Sequence, residues 1–214
     1  MRYGKKEQAY EIIKRRILEG ELPAASDLSE EELIKNLEIS RTPIREAIQK
    51  LSEEGFVNIY PRKGTIVSDI TLDTIRWIYE CRQLNEPHIT KMACGRLSLE
   101  WMIKMQQAFQ KLLEKNGKDE VGVIQRYIEL DRELHECILD TCTNLLLKNF
   151  MKNVYAHSHR LRVKTGRMNM EYKLAVREHL DILDALIEGN PEKAEESALT
   201  HVLEAARTAY KYNF

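Results

Sequence analysis

Residues 40–55, SRTPIREAIQKLSEEG, constrain the fold more than any other stretch of the chain. Ser40 predicts an N-cap, and Pro43 fits a first turn, where its missing N–H would be unpaired in any case. Ile44, Ala47, Ile48 and Leu51 recur at helical spacing and make an inward face, and Gly55 ends the helix. Arg41, Thr42 and Arg45 fall in its opening turns, the part of a recognition helix that reaches base edges in the major groove. Upstream, Tyr10, Ile13, Ile17 and Leu18 give an earlier helix its apolar stripe. Gly20 ends that helix, and the segment to Ala25 has turn character around Pro23. Ser29 and Glu32 form a capping box for a short second helix through Leu33, Ile34 and Leu37. Two short helices joined so tightly predict a helix-turn-helix. Phe56 to Tyr60 then alternates like a strand, 61–64 turn and 65–67 return. This hairpin is a wing with Arg62 and Lys63 at its tip, placed to meet phosphates or a minor groove.

Residues 10–67 resemble the winged helix-turn-helix of GntR-type bacterial transcription regulators. The likeness is carried by Ile17-Leu18-Glu19-Gly20, Leu28-Ser29-Glu30, Leu33 and Ser40-Arg41-Thr42-Pro43-Ile44-Arg45-Glu46-Ala47. It continues through Leu51, Glu54-Gly55-Phe56-Val57 and Pro61-Arg62-Lys63-Gly64. The chain departs from the family at Ala24 and Glu38, where glycine is usual, and at Ile34, where a small residue is frequent. A non-glycine residue in a left-handed turn costs roughly 1 kcal/mol, so Glu38 predicts a slightly different turn. The resemblance implies double-stranded operator DNA as the partner. Arg41 and Arg45 are expected to read bases, guanine first, through bidentate contacts. Thr42 would fix register on phosphate, with Arg62, Lys63 and Gly64 at the wing.

Charge is consistent with this reading without carrying it. Residues 1–69 hold 12 Lys and Arg against 13 Asp and Glu, so the domain is not globally basic. Seven acids and one Lys fall in 17–38, whereas Arg41, Arg45, Arg62 and Lys63 lie on the expected DNA side. Phosphate binding needs only a local basic surface, which a dimer doubles. The four cysteines form no CxxC pair and no disulfide framework. With no signal peptide and no apolar run of membrane-spanning length, a cytoplasmic protein with reduced thiols and no membrane partner is expected.

The expected fold class is mainly α. A winged helix-turn-helix over 1–69 is followed by an all-α antiparallel six-helix bundle over 70–214. Helical patterning predicts helices near 73–95, 98–115, 120–142, 144–164, 169–188 and 191–211, with Pro87 kinking the first. Ser98, Asn144 and Asn190 are expected helix starts. Asp131 and His135, four apart, share the apolar face of Ile124, Tyr127, Ile128, Leu134 and Ile138. His179 lies among Tyr172, Val176, Ile182, Leu183 and Leu186, and His201 among Ala194, Ala198, Val202 and Ala205. One carboxylate and three imidazoles therefore face a core. An unpartnered buried carboxylate is very costly, and a divalent metal held by these four would compensate it. Taken singly, each is more simply a satisfied core residue.

Residues 74–212 are similar to the FCD effector domain of the FadR subfamily. The matching residues are Tyr79-Glu80-Cys81-Arg82, Glu86-Pro87, Asp131 with His135, Glu178-His179, Ala185-Leu186, Gly189, Ala194 and His201. This resemblance implies a divalent ion at Asp131, His135, His179 and His201, zinc first, with nickel and manganese as alternatives. A small organic acid effector would bind beside it. The six-helix count resembles the VanR-type branch. Arg82 matches a common arginine of the family, and two readings stay open for it: a grip on the effector carboxylate, or an ion pair with a nearby Glu. Arg126, Arg132 and Arg160 are less specific candidates. The expectation is a homodimeric, effector-responsive regulator, a repressor by family analogy, and not an enzyme. A metal-sensing regulator and a metal enzyme fused to a DNA-binding head are the alternatives.

Overall fold

The computed structural model describes residues 4–114, 120–166 and 172–213. The chain divides into two compact units, Met1–Thr71 and Leu72–Phe214. The first contains α1 (Lys5–Leu18), α2 (Glu30–Leu37), α3 (Arg41–Glu53), β1 (Val57–Tyr60) and β2 (Gly64–Val67). Ile13, Ile17, Leu33, Ile44, Ala47, Ile48, Leu51 and Phe56 bury together, on the periodicity expected of amphipathic helices. Tyr10 ties α1 to α3: its hydroxyl donates to Glu54 at 2.8 Å, and Lys14 Nζ donates to the same carboxylate at 2.7 Å.

The turn between α2 and α3 carries Glu38, which was expected to alter it, and the backbone shows the outcome. Glu38 adopts the left-handed conformation itself (φ 54, ψ 34) rather than forcing a different turn. Ser29 caps α2, accepting from the Glu32 amide at 3.3 Å. Ser40 stands at the N-cap position of α3 with extended backbone, but its side chain makes no capping bond. The first turn closes through the backbone instead, from the Ile44 amide to the Ser40 carbonyl at 3.4 Å.

β1 and β2 pair antiparallel, from Val57 opposite Val67 to Tyr60 opposite Gly64. Gly64 at φ 108 occupies backbone space that disfavours a side chain, and Arg62 turns the tip at φ 66. The segment after Pro23 is more than a turn. The Ala25 amide donates to Val67, the Val67 amide to Ser26 and the Leu28 amide to Thr65, with Asp27 bridging Ile66. These bonds hold the wing to the stretch leading into α2.

The second unit contains α4 (Leu72–Ala93), α5 (Leu99–Glu114), α6 (Glu120–Asp140), α7 (Leu145–Gly166), α8 (Tyr172–Ile187) and α9 (Pro191–Asn213). Asn144 and Asn190 cap α7 and α9 by accepting main-chain N–H bonds, as Ser98 does more weakly for α5. α4 continues through Pro87 as one helix. It packs on α9 and α7, α9 also on α8, and α8 on α5. Ile89, Phe109, Leu112, Tyr127, Leu130, Leu134, Leu183 and Leu186 fill the core between them. None of the described helices is long and apolar enough to cross a membrane.

Replacing Glu38 with Gly is expected to remove left-handed strain worth roughly 1 kcal/mol, partly offset by added chain entropy. Urea unfolding followed by circular dichroism should show a net gain below that figure. A loss would mean that Glu38 makes compensating contacts.

Candidate metal centre and nucleic-acid interface

Asp131, His135, His179 and His201 come together in the second unit, each buried, with their ligand atoms all within 4.8 Å of one another. The 3.6-residue period explains half of this. Asp131 and His135 are one turn apart on α6, aligned with Tyr127 and Leu134. α8 and α9 bring in His179 and His201. The His179 ring is positioned by stacking on Phe109, with centroids 5.0 Å apart.

His179 Nε2 lies 3.3 Å from Asp131 Oδ1 and 3.4 Å from His135 Nε2. His135 Nε2 lies 3.7 Å from the same Asp131 oxygen. Ligands around a tetrahedral ion with bonds of about 2.1 Å stand about 3.4 Å apart, so the spacing suits one small divalent ion. The outer nitrogens favour the same use. His135 Nδ1 lies 3.1 Å from Glu86 Oε1, and His201 Nδ1 lies 3.0 Å from Glu178 Oε2. Ionised Glu86 only accepts, so His135 Nδ1 carries the proton and its Nε2 presents a lone pair inward; His201 Nε2 faces the donor-only guanidinium of Arg82, which leaves its own proton on Nδ1. His179 Nδ1 is buried without a hydrogen-bond partner. One contact competes with ligation: Arg82 Nη2 stands 3.4 Å from His201 Nε2.

The electrostatics keep Asp131, His179 and His201 in the forms a metal needs. Burial would raise the Asp131 carboxyl, but Arg162, followed by His135 and His179, outweighs it and holds the group well below the carboxylate range. Arg162 Nη1 abuts Asp131 Oδ2 as an ion pair. Burial, reinforced by the neighbouring imidazoles, holds His201 well below the usual histidine value. Burial likewise lowers His179, although Asp131 opposes it. Outside the four, burial between Arg162 and Arg132 pushes His159 down to about 4.

Of the two readings open for Arg82, the geometry is that of the ion pair. Arg82 Nε and Nη2 donate to the two oxygens of Glu86 at 2.7 and 3.1 Å, and Nη1 donates to Ser158 at 3.1 Å. With its fork filled, Arg82 has no free edge for an effector carboxylate. Arg162, on α7, opens onto space. It lines a cavity of about 40 Å³ with Tyr79, Tyr127, Glu178, His201 and Glu204, room for about three water-sized groups. Burial, then Glu204 and Asp181, pushes Glu178 in this wall up to about 7. Sequence reasoning passed over Arg162, although it continues the inward period of Met151, Val154, Ser158 and Leu161 on α7. The Arg82–Glu86 pair was readable from its i, i+4 spacing. Arg126 pairs with Glu129 on the surface, and Arg132 is exposed.

In the first unit, Arg41, Thr42, Arg45, Arg62, Lys63 and Gly64 are all exposed. The first three occupy the opening turns of α3 and the others the turn between β1 and β2. Arg45 Nε donates to Glu30 Oε2 on α2 at 2.8 Å.

Comparison with known proteins places both units. The FCD domain model matches residues 77–204, and that of the bacterial regulatory proteins of the gntR family matches residues 5–67. The HTH-type transcriptional repressor RspR of Escherichia coli K12 is 28% identical over 94% of this chain and 87% of its own length. The Nta operon transcriptional regulator of Aminobacter aminovorans is 27% identical over 82% and 80%. Escherichia coli McbR/YncC superposes with a TM-score of 0.80 at 16% identity, covering 98% of both chains. A putative GntR regulator from Rhodococcus sp. RHA1 superposes at 0.77 with 21% identity, covering 98% of this chain and 99% of its own.

Glu86→Ala would leave the guanidinium of Arg82 buried without its counter-ion. A loss of about 3–5 kcal/mol is expected in the denaturant unfolding of the full chain. A loss below about 1 kcal/mol would mean that Arg82 finds another partner.

Proposed function

Because the chain belongs to the GntR family of bacterial transcription regulators and carries an FCD domain, we propose that it is a cytoplasmic homodimeric repressor whose hold on operator DNA responds to a metal-bound small organic acid. That it is a DNA-binding transcription regulator follows from the family. The repressing sign follows the named repressor among its relatives. The observation that carries the effector half is the convergence of one carboxylate oxygen and three imidazoles, two of which, His135 and His201, have their outer nitrogens tied back to carboxylates.

On the DNA side, α3 enters the major groove with Arg41 and Arg45 on guanine edges and Thr42 on phosphate. Arg62 and Lys63 meet the backbone from the wing, and Gly64 lets the main chain approach closely. On the effector side, Asp131, His135, His179 and His201 would hold a divalent ion, zinc before nickel or manganese. When bound, the ion supplies positive charge and open positions for acid oxygens. Arg162, Tyr79 and Tyr127 line the space beside it and would orient the rest of the acid. The acid shifts operator affinity only as far as it binds one helix arrangement better than another.

The second copy is expected on α4. Trp77, Leu84 and Met92 are exposed, with relative exposures of 57%, 80% and 42%. They lie with Cys81 and His88 along one helical face, opposite the buried Arg82 and Glu86. An apolar stripe of this kind calls for a partner surface, and a two-fold operator needs a second recognition helix. Leu84→Glu should shift the protein from dimer to monomer in sedimentation analysis. A dimer of unchanged strength would place the interface elsewhere.

Metal content decides the effector half. Elemental mass spectrometry should find about one divalent ion per chain, lost in a His179→Ala, His201→Ala double variant (on the ligand count expected for such sites,). If reloading with zinc, nickel and manganese leaves the native protein empty, the cluster is a hydrogen-bonded polar core. Metal that alone changes operator affinity would make the ion itself the signal.

A further inference from the structure

Glu30 and Arg45 make a bond that adds little to stability and is placed to matter for recognition. Glu30 is the first residue of α2, directly after the Ser29 cap, and Arg45 lies in the second turn of α3. The Nε–H of Arg45 donates to Glu30 Oε2 at 2.8 Å, with the arginine side chain 60% and the glutamate 31% exposed. Exposed pairs like this contribute little to folding. Arg41, by contrast, makes no ion pair among the described residues.

The geometry of a guanidinium decides what the pair can do. Arginine has five N–H donors in one plane. Using Nε–H on Glu30 fixes that plane and leaves the fork formed by Nη1 and Nη2 free, the edge that matches O6 and N7 of guanine. An unsupported arginine must give up several rotatable bonds on binding, whereas one tethered at Nε has already lost most of them. Glu30 also places a negative charge beside the DNA-facing surface, which weakens attraction to any phosphate backbone.

We infer that Glu30 is a specificity-determining positioning residue: it holds the guanidinium plane of Arg45 for guanine while penalising sequence-independent binding. The inference rests on reading Arg45 as a base-contacting residue. It predicts opposite effects on two kinds of DNA, which neither a structural role nor simple charge removal produces.

The test uses the full-length protein, a duplex it selects from a random pool, and a scrambled duplex at one salt concentration. Arg45→Ala is expected to abolish the preference between them. Glu30→Ala should reduce the preference about tenfold while binding the scrambled duplex as tightly or more tightly (one misplaced bidentate contact,). Glu30→Gln, which keeps an acceptor oxygen without the charge, should retain most of it. In the Glu30→Ala, Arg45→Ala double variant the preference should equal that of Arg45→Ala alone. If Glu30→Ala tightens both duplexes in proportion, or lowers preference equally with and without Arg45, Glu30 does not position Arg45. If Arg45→Ala leaves the preference intact, the base-reading role of Arg45 falls, and this inference with it.

Discussion

Glu86 accepts two hydrogen bonds from Arg82 and lies 3.1 Å from the protonated nitrogen of His135, in a place water scarcely reaches. Taking either charge out of water alone costs several kcal/mol, so neither residue could occupy its position without the other. Burial pushes the Glu86 carboxyl up, and Arg82 followed by His135 brings it well below its ordinary value. The pair does more than balance itself. Through His135 it orients one imidazole of the Asp131 cluster, and through Ser158 it fastens α4 to α7. The arrangement of Asp131, His179 and His201 therefore depends on an ion pair within a helix that contributes none of the four.

α4 consequently has two faces with opposite chemistry. Ile75, Tyr79, Arg82, Glu86, Ile89 and Ala93 turn inward, and two of them carry charge. Trp77, Leu84 and Met92 stay exposed. A helix that buries one ion pair while leaving indole and leucine in water departs from the usual division, although Asp73, Arg76 and Glu80 stay exposed on it. The inner face is explained by the site it supports. The outer face is explained once a second apolar surface covers it. One helix then links the polar cluster to the proposed dimer surface.

Much of this was legible in the sequence, because both helical periodicity and capping are local. Tyr10, Ile13, Ile17, Ile44, Ala47, Ile48 and Leu51 are buried as their spacing demands. Asn144 and Asn190 cap the helices they were expected to start. The inward set of Asp131, His135, His179 and His201 was readable because each polar residue interrupts an apolar stripe. The rest was non-local. Arg162 reaches Asp131 from another helix, and spacing within α7 cannot name that partner. Pairing of the 25–28 segment with β2 joins residues about forty apart, through main-chain atoms that leave little trace in side-chain pattern. Arg82 was ambiguous for a different reason. The same fork grips an effector or a glutamate, and only the side-chain packing around Glu86 selects between them.

The DNA-binding unit poses the converse problem, because its charge is nearly balanced over residues 1–69. Attraction to the phosphate backbone grows with the number of phosphates a protein neutralises. A surface with acids on α2 beside arginines on α3 gains little from that term. What it gains is definition at one position: Arg45 is held by Glu30 as well as by solvent. A nearly neutral reading head must therefore draw its affinity from matching base edges and phosphates at set positions. If α3 reads bases as proposed, the side-chain geometry at its start is the quantity on which selectivity depends.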